Sequence, residues 1–167
     1  TSRRHHRICQ TRCPAALEEA LIDEAITVGG PRFVDDIGLW SQPGIFSWDR
    51  VDPGTSLLIS VLPTFAGHGA DLGCGLGVIA RAVLGSAKVE RLDLIDIDRR
   101  AVAAARRNVA DARAAFTWAD IRQRGGSRDL DFIVMNPPFH DGGQEDKALG
   151  QSFVRQSQQM LRDGGTA

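Results

Sequence analysis

The tetrapeptide Asn136-Pro137-Pro138-Phe139 carries the most chemical information in the chain, and it directly follows a strand-like run at residues 131–135. The side-chain oxygen of Asn136 and the carbonyl oxygen of Pro137 are two acceptors, and the two prolines fix φ on both sides of that carbonyl. The ring of Phe139 offers a face on which a base can stack. Two acceptors that bind both hydrogens of an aromatic amine pull its nitrogen toward a nucleophilic geometry, which stabilises the transition state of a transfer reaction. The alternative is a simple turn, because Asn and Pro both favour turns.

A glycine-rich loop lies upstream of this tetrapeptide. Residues 69–77 read Gly-Ala-Asp-Leu-Gly-Cys-Gly-Leu-Gly, and a helix-like segment follows them. Glycines are needed where φ is positive or where a ligand lies against the main chain, so this segment resembles the opening of a nucleotide-binding βαβ unit. The next strand-like run ends at Asp96, 19 residues after Gly77, where an acid can accept hydrogen bonds from both ribose hydroxyls of an adenosine. The candidate cofactor-binding residues of this unit are Asp71, Gly73, Cys74, Gly75, Gly77 and Asp96.

A glycine loop alone does not identify its ligand, and residues 75–80 also fit the Gly-x-Gly-x-x-Gly/Ala pattern of dinucleotide binders. Asp71 would add a negative charge beside a pyrophosphate, whereas it suits a ligand that carries an amino group. Asn136 and the prolines after it have no role in hydride transfer. These residues favour S-adenosylmethionine as the cofactor, and a dinucleotide or a loop without a ligand remain the alternatives.

A third acid, Asp120, ends the strand-like segment 115–119 and could accept the amino group of adenine. It could equally be a helix N-cap or a surface charge. Ile97 and Ile121 each follow one of these acids. They could hold the adenine between them, or they could be ordinary core residues.

The elements that must position these residues alternate along the chain. Segments of strand and helix character are expected at 69–72 (strand), 77–85 (helix), 91–96 (strand), 99–112 (helix), 115–119 (strand), 130–135 (strand) and 145–162 (helix), after helices at 14–28 and 57–62. Such alternation predicts an α/β fold with a parallel sheet. The carboxyl ends of its strands lie on one edge, so Asp71, Asp96, Asp120 and Asn136 are expected to converge there.

At this point the chain resembles the class I methyltransferases, and more narrowly the ribosomal RNA guanine-N2 methyltransferases of the small-subunit type and their large-subunit relatives. The stretches that carry this resemblance are residues 43–49, 52–58, 71–77, 96–102 and 136–142. The glycine loop is common to many methyltransferases, whereas Pro-Gly-Ile-Phe-Ser combined with Asn-Pro-Pro-Phe-His-Asp-Gly is much more specific.

The resemblance implies that Phe46 and Ser47 help to close the cofactor pocket, and that Asn136, Pro137 and Phe139 hold the target guanine. It implies methyl transfer from S-adenosylmethionine to the exocyclic N2 amine of a guanine in ribosomal RNA, with ribosomal RNA or a ribosomal subunit as the partner. The same tetrapeptide also serves methyltransferases that modify adenine N6 or a protein glutamine amide, and a non-catalytic module that binds the cofactor or RNA is a further alternative.

The resemblance also sets the expected boundaries. Residues 1–30 are expected to form a basic, partly helical extension, and residues 31–167 a Rossmann-like class I methyltransferase domain. Its sheet is expected to be truncated after the fourth strand and its helix, since a fifth strand should begin near residue 161.

Composition limits the remaining possibilities. The apolar content is 43% and the formal net charge is −1, so one globular domain is expected without the basic excess usual for a free-standing RNA binder. The arginine-rich residues 3–12 could follow phosphates or form a basic tail, and segment 101–113 is read as a helix with a solvated basic face rather than an RNA-binding helix. Three cysteines without framework spacing suggest a reducing, cytoplasmic compartment, and neither a metal site nor a membrane span is expected.

Overall fold

The computed structural model of the chain describes residues 2–3, 6–7, 12, 18–123, 127–137, 140–141, 144–145 and 147–167. The helices of this part of the chain are α1 (Glu19–Gly29), α2 (Pro53–Val61), α3 (Val78–Val83), α4 (Arg99–Asn108) and α5 (Lys147–Met160). The strands are β1 (Ser2–Arg3), β2 (His6–Arg7), β3 (Arg32–Val34), β4 (Leu39–Ser41), β5 (Gly67–Leu72), β6 (Val89–Asp96), β7 (Ala114–Trp118), β8 (Leu130–Met135), β9 (His140–Asp141), β10 (Gln144–Glu145) and β11 (Leu161–Thr166).

Five of these strands form one sheet in the order β11-β8-β5-β6-β7, and all of its neighbouring pairs are parallel. The α/β prediction and the parallel sheet are therefore confirmed. The first of these five strands along the chain, β5, lies at the centre of the sheet. Asp71 lies near the carboxyl end of β5, Asp96 ends β6, and Asn136 directly follows β8, so the three residues reach the same edge of the sheet.

The sheet is covered by apolar side chains on both faces, as parallel sheets require. On one face Leu92 and Leu94 of β6 lie in a cluster with side chains of α3 and α4. On the other face Ile95 lies in a cluster with Phe153 and Met160 of α5. This alternation along one strand follows from the two-residue period of side-chain direction, and it holds each strand between two layers.

A hairpin of β3 and β4 packs on the outer side of α4. The backbone of Trp40 is held at both its N–H and its carbonyl by the side chain of Asn108, at 2.7 and 2.9 Å. Leu39 is buried in a small cluster with Ala101 and Ala104 of α4. The chain that leaves β4 therefore starts from a fixed position on α4 before it reaches the ligand edge of the sheet.

The sheet does not stop after its fourth strand. Residues Leu161–Thr166 form β11, which pairs in parallel with the outer edge of β8. The segment Arg-Asp-Gly-Gly has low strand propensity, which is why the sequence did not reveal a complete strand. The open edge of β8 supplies backbone partners, and Arg162 adds a 2.6 Å ion pair to Asp131. At Gly165 a Cβ atom would lie 2.9 Å from the carbonyl oxygen of Leu130, so glycine allows this close approach.

Two helix boundaries also differ from the prediction. Helix α2 begins at Pro53 rather than residue 57, because Asp52 accepts a hydrogen bond from the amide of Thr55 and proline occupies the first turn. Helix α4 ends at Asn108 rather than residue 112, because Arg113 extends away to donate to the carbonyls of Leu84, Ser86 and Val89.

The structure describes only part of the N-terminal segment that was predicted to form a helical extension. Helix α1 covers the second half of the expected helix, and residues 13–17 lie outside the described residues, as do several of the basic positions before them. The division into residues 1–30 and 31–167 stays a prediction. In the described residues, no helix is both long and apolar enough to cross a membrane.

Candidate active site

The glycine loop between β5 and α3 presents its backbone to the carboxyl edge of the sheet. Gly75 has a φ of 51°, and a Cβ atom built on it would meet no atom within 4 Å, so the space beside it is open. Gly77 has a φ of 81°, and a Cβ atom there would lie 2.7 Å from the side chain of Val109. The first glycine thus leaves room for a ligand, and the second lets α3 pack closely against the end of α4.

Asp71 is completely buried, and neither of its carboxylate oxygens makes a hydrogen bond of normal geometry, although the backbone amide of Ala80 is close enough to act on it. Burial, and next the nearby carboxylate of Asp96, raise its pKa from 3.8 to about 7, and the backbone amide of Ala80 counteracts only part of that rise. A buried polar group is normally satisfied, so an orphaned carboxylate at the ligand edge indicates a missing donor. A ligand with an ammonium group would supply both the hydrogen bonds and the opposite charge.

Asp96 is held in place by two backbone amides. Its Oδ2 accepts from Gly75 and its Oδ1 from Asp98, both at 2.8 Å. Burial raises its pKa, although these amides oppose the rise. An ionised carboxylate can accept about four hydrogen bonds, so two acceptor positions are left for hydroxyl groups such as those of a ribose.

Asn136 is oriented by two residues that the sequence analysis did not single out. Its amide nitrogen donates to Oδ2 of Asp52 at 3.1 Å and to Oγ1 of Thr55 at 2.9 Å. Because an ionised carboxylate only accepts, the nitrogen of Asn136 must face Asp52. The oxygen of Asn136 makes no hydrogen bond to the described residues and stays available as an acceptor. The sequence Asp52-Pro53-Gly54-Thr55 is a helix N-cap pattern and could have indicated these residues. The capping carboxylate of Asp52 also reaches the residue that follows β8.

The loop that carries Phe46 and Ser47 reaches the same place. With the glycine loop, α2 and Asn136, it encloses a small cavity of about 70 Å³. The lining residues are Phe46, Ser47, Arg50, Val51, Asp52, Thr55, Gly73, Cys74, Gly75, Leu76, Val78, Ile79 and Asn136. Predicted site residues from three separated segments therefore line one cavity. Burial raises the pKa of the Cys74 thiol well above its usual range, so this side chain is a protonated, uncharged part of the wall.

An arginine clamp fixes this loop. Arg100 donates to the carbonyls of Pro43 and Gly44, at 3.4 and 3.0 Å. Asp98 holds the guanidinium through Nε at 3.1 Å and Nη2 at 2.7 Å. At Gly44, where φ is 92°, a Cβ atom would lie 2.7 Å from Nη1 of Arg100, so only glycine allows this approach. The clamp ties the loop to the start of α4, directly after Asp96.

The residues predicted to contact adenine lie in different surroundings. Asp120 is bound by the guanidinium of Arg122 at 2.9 and 2.8 Å, and hydrogen bonds from Arg122 lower its pKa. Ile121 is buried in the core cluster that contains Phe153, whereas Ile97 is 59% exposed. The structure thus places Ile121 in the core, one of its two predicted alternatives, and the adenine contact of Ile97 stays a prediction. The exposed Trp118, which was not predicted, donates its indole N–H to the carbonyl of Ile97 at 2.8 Å.

Other predicted residues are described only in part. Pro137 follows Asn136 at the carboxyl end of β8, but Pro138 and Phe139 lie outside the described residues. His140 is described only as a backbone position in β9. Among the described residues no three His, Cys, Asp or Glu side chains are grouped as metal ligands, and Cys9 and Cys13 lie outside them.

Curated relatives share most of this chain but are much longer. The protein named ribosomal RNA small subunit methyltransferase C from Shewanella sp. strain MR-4 is 39% identical over 131 residues, which is 78% of this chain and 38% of the relative. The protein of the same name from Klebsiella pneumoniae is 34% identical over 156 residues, which is 89% of this chain and 44% of the relative. The chain therefore spans about two fifths of the length of the curated relatives it matches.

A solved structure has a similar fold. The Haemonchus contortus phosphoethanolamine N-methyltransferase 1, in complex with phosphoethanolamine and S-adenosylhomocysteine, aligns with a TM-score of 0.54 at 14% identity. The alignment covers 65% of this chain and 23% of the other. The family model described as the methyltransferase small domain matches residues 36–167. This match confirms the predicted methyltransferase resemblance, and the chain belongs to the methyltransferase small-domain family.

Proposed function

We propose that this protein transfers a methyl group from S-adenosylmethionine to the exocyclic N2 amine of a guanine in ribosomal RNA. The observation that carries the proposal is the orientation of Asn136. Asp52 and Thr55 hold its amide nitrogen at 3.1 and 2.9 Å, which leaves its oxygen as a free acceptor beside the cofactor cavity.

S-adenosylmethionine is the methyl donor, and the residues of the site fit it. Asp71 would hold its amino group, because this buried carboxylate lacks any other donor. Asp96 would accept its ribose hydroxyls, and the open backbone at Gly75 would lie against it. When bound, it supplies an electrophilic methyl group on a sulfonium.

The protein's part in the reaction is to position the amine and to polarise it. The oxygen of Asn136 and the carbonyl of Pro137 would each accept one hydrogen of the amine, so that the nitrogen lone pair points at the methyl carbon. The new N–C bond forms as the C–S bond breaks, and the methylated nitrogen then loses a proton to water. A general base is not required, because the alkylated amine is acidic.

Two facts support ribosomal RNA as the substrate. Curated relatives named ribosomal RNA small subunit methyltransferase C match 78 to 89% of the chain. The chain also carries Phe-His-Asp-Gly after Asn-Pro-Pro and Pro-Gly-Ile-Phe-Ser upstream, the combination that resembles guanine-N2 enzymes. Guanine N2 as the target rests on that resemblance.

The test is nucleoside analysis of small-subunit ribosomal RNA after incubation with the protein and S-adenosylmethionine. We expect N2-methylguanosine, and we expect Asn136→Ala to abolish it while leaving cofactor affinity intact. Gln158→Ala, which removes an exposed amide on α5, is the matched control and should be fully active.

A different methylated product would indicate a different substrate for the site. N6-methyladenosine or a methylated protein glutamine would overturn the guanine assignment and keep the methyltransferase. Cofactor binding without any methylated product would support a non-catalytic module instead.

A further inference from the structure

The β3–β4 hairpin displays two large aromatic rings on its outer face. Phe33 and Trp40 are direct partners across the two strands, and their rings meet edge to face at 6.2 Å. They are 49% and 37% exposed. Leu39 and Ser41 on either side of Trp40 are buried, so the two-residue period of the strand forces Trp40 outward.

Two arginines of α4 lie over aromatic rings: Arg107 over Trp40 of the hairpin, and Arg106 over Phe116 of β7, to whose carbonyl it also donates a hydrogen bond at 3.0 Å. The guanidinium of Arg107 lies 4.5 Å from the centre of the Trp40 ring, and that of Arg106 lies 5.2 Å from the Phe116 ring. Helix α4 contains four arginines and no acid. Its Arg106 and Arg107 make no ion pair with any residue that the structure describes. Their positive charges are therefore not neutralised by the protein.

The surface is rigid as well as basic. Asn108, the last residue of α4, holds both backbone groups of Trp40, at 2.7 and 2.9 Å, and also donates to the carbonyl of Leu76 at 3.0 Å. A merely solvated basic face needs neither exposed rings nor a fixed backbone. Flat aromatic rings combined with unpaired arginines are the chemistry that binds single-stranded nucleic acid, by stacking on bases and by contact with phosphates.

We propose that Phe33, Trp40, Arg106 and Arg107 form a docking surface for single-stranded RNA, here called the aromatic–arginine platform. The inference rests on the proposed function, and it adds a place where RNA outside the target nucleotide is held. The exposed acids Asp35 and Asp36 follow β3 in the hairpin turn, so phosphates are directed to the α4 side of the platform.

The platform is connected to the cavity through the chain itself. Strand β4 continues from Trp40 into the loop at residues 43–47, which the Asp98–Arg100 pair fixes above the cavity. RNA on the platform would thus contact the same continuous chain segment, from β4 to residue 47, that carries Phe46 and Ser47 at the site. The platform would hold the strand that flanks the methylated nucleotide.

The test is an anisotropy titration of a fluorescent single-stranded RNA of about 15 nucleotides, near the upper site size of such surfaces. Trp40→Ala should weaken binding about tenfold, the equivalent of about 1.4 kcal/mol and within the range for loss of one stacked base. Arg106→Ala with Arg107→Ala should reduce the slope of log affinity against log salt by about 1.4, or ~0.7 for each phosphate contact.

Matched variants separate binding from folding. Arg155→Ala removes an exposed arginine of α5 and should change neither affinity nor slope. Trp40→Phe keeps a ring and should recover most of the affinity lost in Trp40→Ala, which a folding defect would not allow. The Arg106 and Arg107 changes are on the surface and test the charge independently of the hairpin.

The outcomes are distinct. Wild-type protein that does not bind the RNA, platform variants that bind like wild type, or an equal loss in Arg155→Ala would each overturn the platform. Calorimetry with S-adenosylmethionine should give the same affinity for all these variants. Failure of wild-type protein to bind the cofactor would instead count against the proposed function.

Discussion

Two buried aspartates on neighbouring strands of the sheet have opposite surroundings. Asp93 of β6 receives Oγ of Ser127 at 2.6 Å and Nε of Arg91 at 3.0 Å, and Nε2 of His68 lies 3.0 Å away. Burial acts to raise its pKa, but these hydrogen bonds outweigh burial and lower it. Asp71 of β5 is more deeply buried and makes no hydrogen bond of normal geometry, and burial raises its pKa to about 7.

The difference separates a carboxylate that the fold satisfies from one that we propose a ligand satisfies. Asp93 lies within the sheet, where the fold itself provides every donor. Asp71 lies near the carboxyl end of β5, just before the loop that contains Gly75. An unsatisfied buried charge is costly, so its position at the ligand edge indicates a group that is completed only by the ligand.

The largest expected effect is on the stability of the cofactor-free protein. Because the folded pKa of Asp71 is raised from 3.8 to about 7, the folded state binds the proton more tightly, and stability falls as pH rises from about 4 to 7. Above pH 7 this costs roughly 4 kcal/mol, from about three pKa units. Asp71→Asn should remove that cost and that pH dependence, while it abolishes tight cofactor binding. Urea unfolding from pH 5 to 8 measures the difference, and parallel curves for the two proteins would contradict it.

Asn136→Ala should change rate without changing stability. In the proposed mechanism the free oxygen of Asn136 acts on the amine only in the transition state, and loss of one such group typically costs ~10²–10³ in kcat. The affinity for S-adenosylmethionine should stay within about twofold, since we propose that the cofactor is held mainly by Asp71 and Asp96. Single-turnover methyl transfer and calorimetry provide the two readouts, and equal losses in both would argue against the assigned role.

Asp93→Ala should lower the stability of the fold without changing cofactor affinity. Removal of this acceptor leaves the hydroxyl of Ser127 and the half-buried ring of His68 without their partner, at a cost of about 2 kcal/mol. Cofactor affinity should not change, because the hydrogen-bond partners of Asp93 are His68, Arg91 and Ser127 and none of them lines the candidate site. The free energy of unfolding and calorimetry at 25 °C test both statements, and a large loss of affinity would break the distinction between the two aspartates.

The smallest expected effect comes from the arginine clamp. Arg100→Ala should free the loop at residues 43–47 and raise the dissociation constant for the cofactor about fivefold, or roughly 1 kcal/mol for its surface hydrogen bonds. Arg99→Ala, which removes the neighbouring arginine of α4, is the control and should have no effect. An unchanged dissociation constant for Arg100→Ala would show that the loop keeps its position without the clamp.

The sequence was sufficient to predict those parts of the molecule whose local residue pattern matches their position in the fold. The apolar run of β8 and the glycine loop after β5 were recognisable, and Asp71, Asp96 and Asn136 lie at or just beyond the carboxyl ends of β5, β6 and β8, so their convergence was predictable. The hydrogen-bond partners of Asn136 were not predictable, because Asp52 and Thr55 reach it from the N-terminus of a helix that is distant in sequence. Nor was β11, whose strand conformation depends on the open edge of β8 rather than on its own residues.

The arrangement of the strands has a consequence for synthesis on the ribosome. The central strand β5 is made before the other four strands of the sheet, and β6 and β7 then add on one side of it. Its other side is covered only when β8 is made, followed by β11 beyond. Until then one edge of β5 keeps its backbone N–H and C=O groups unpaired, the kind of edge that templates aggregation. The strand that becomes the best protected in the finished protein is therefore the one that most needs protection while the chain is being made.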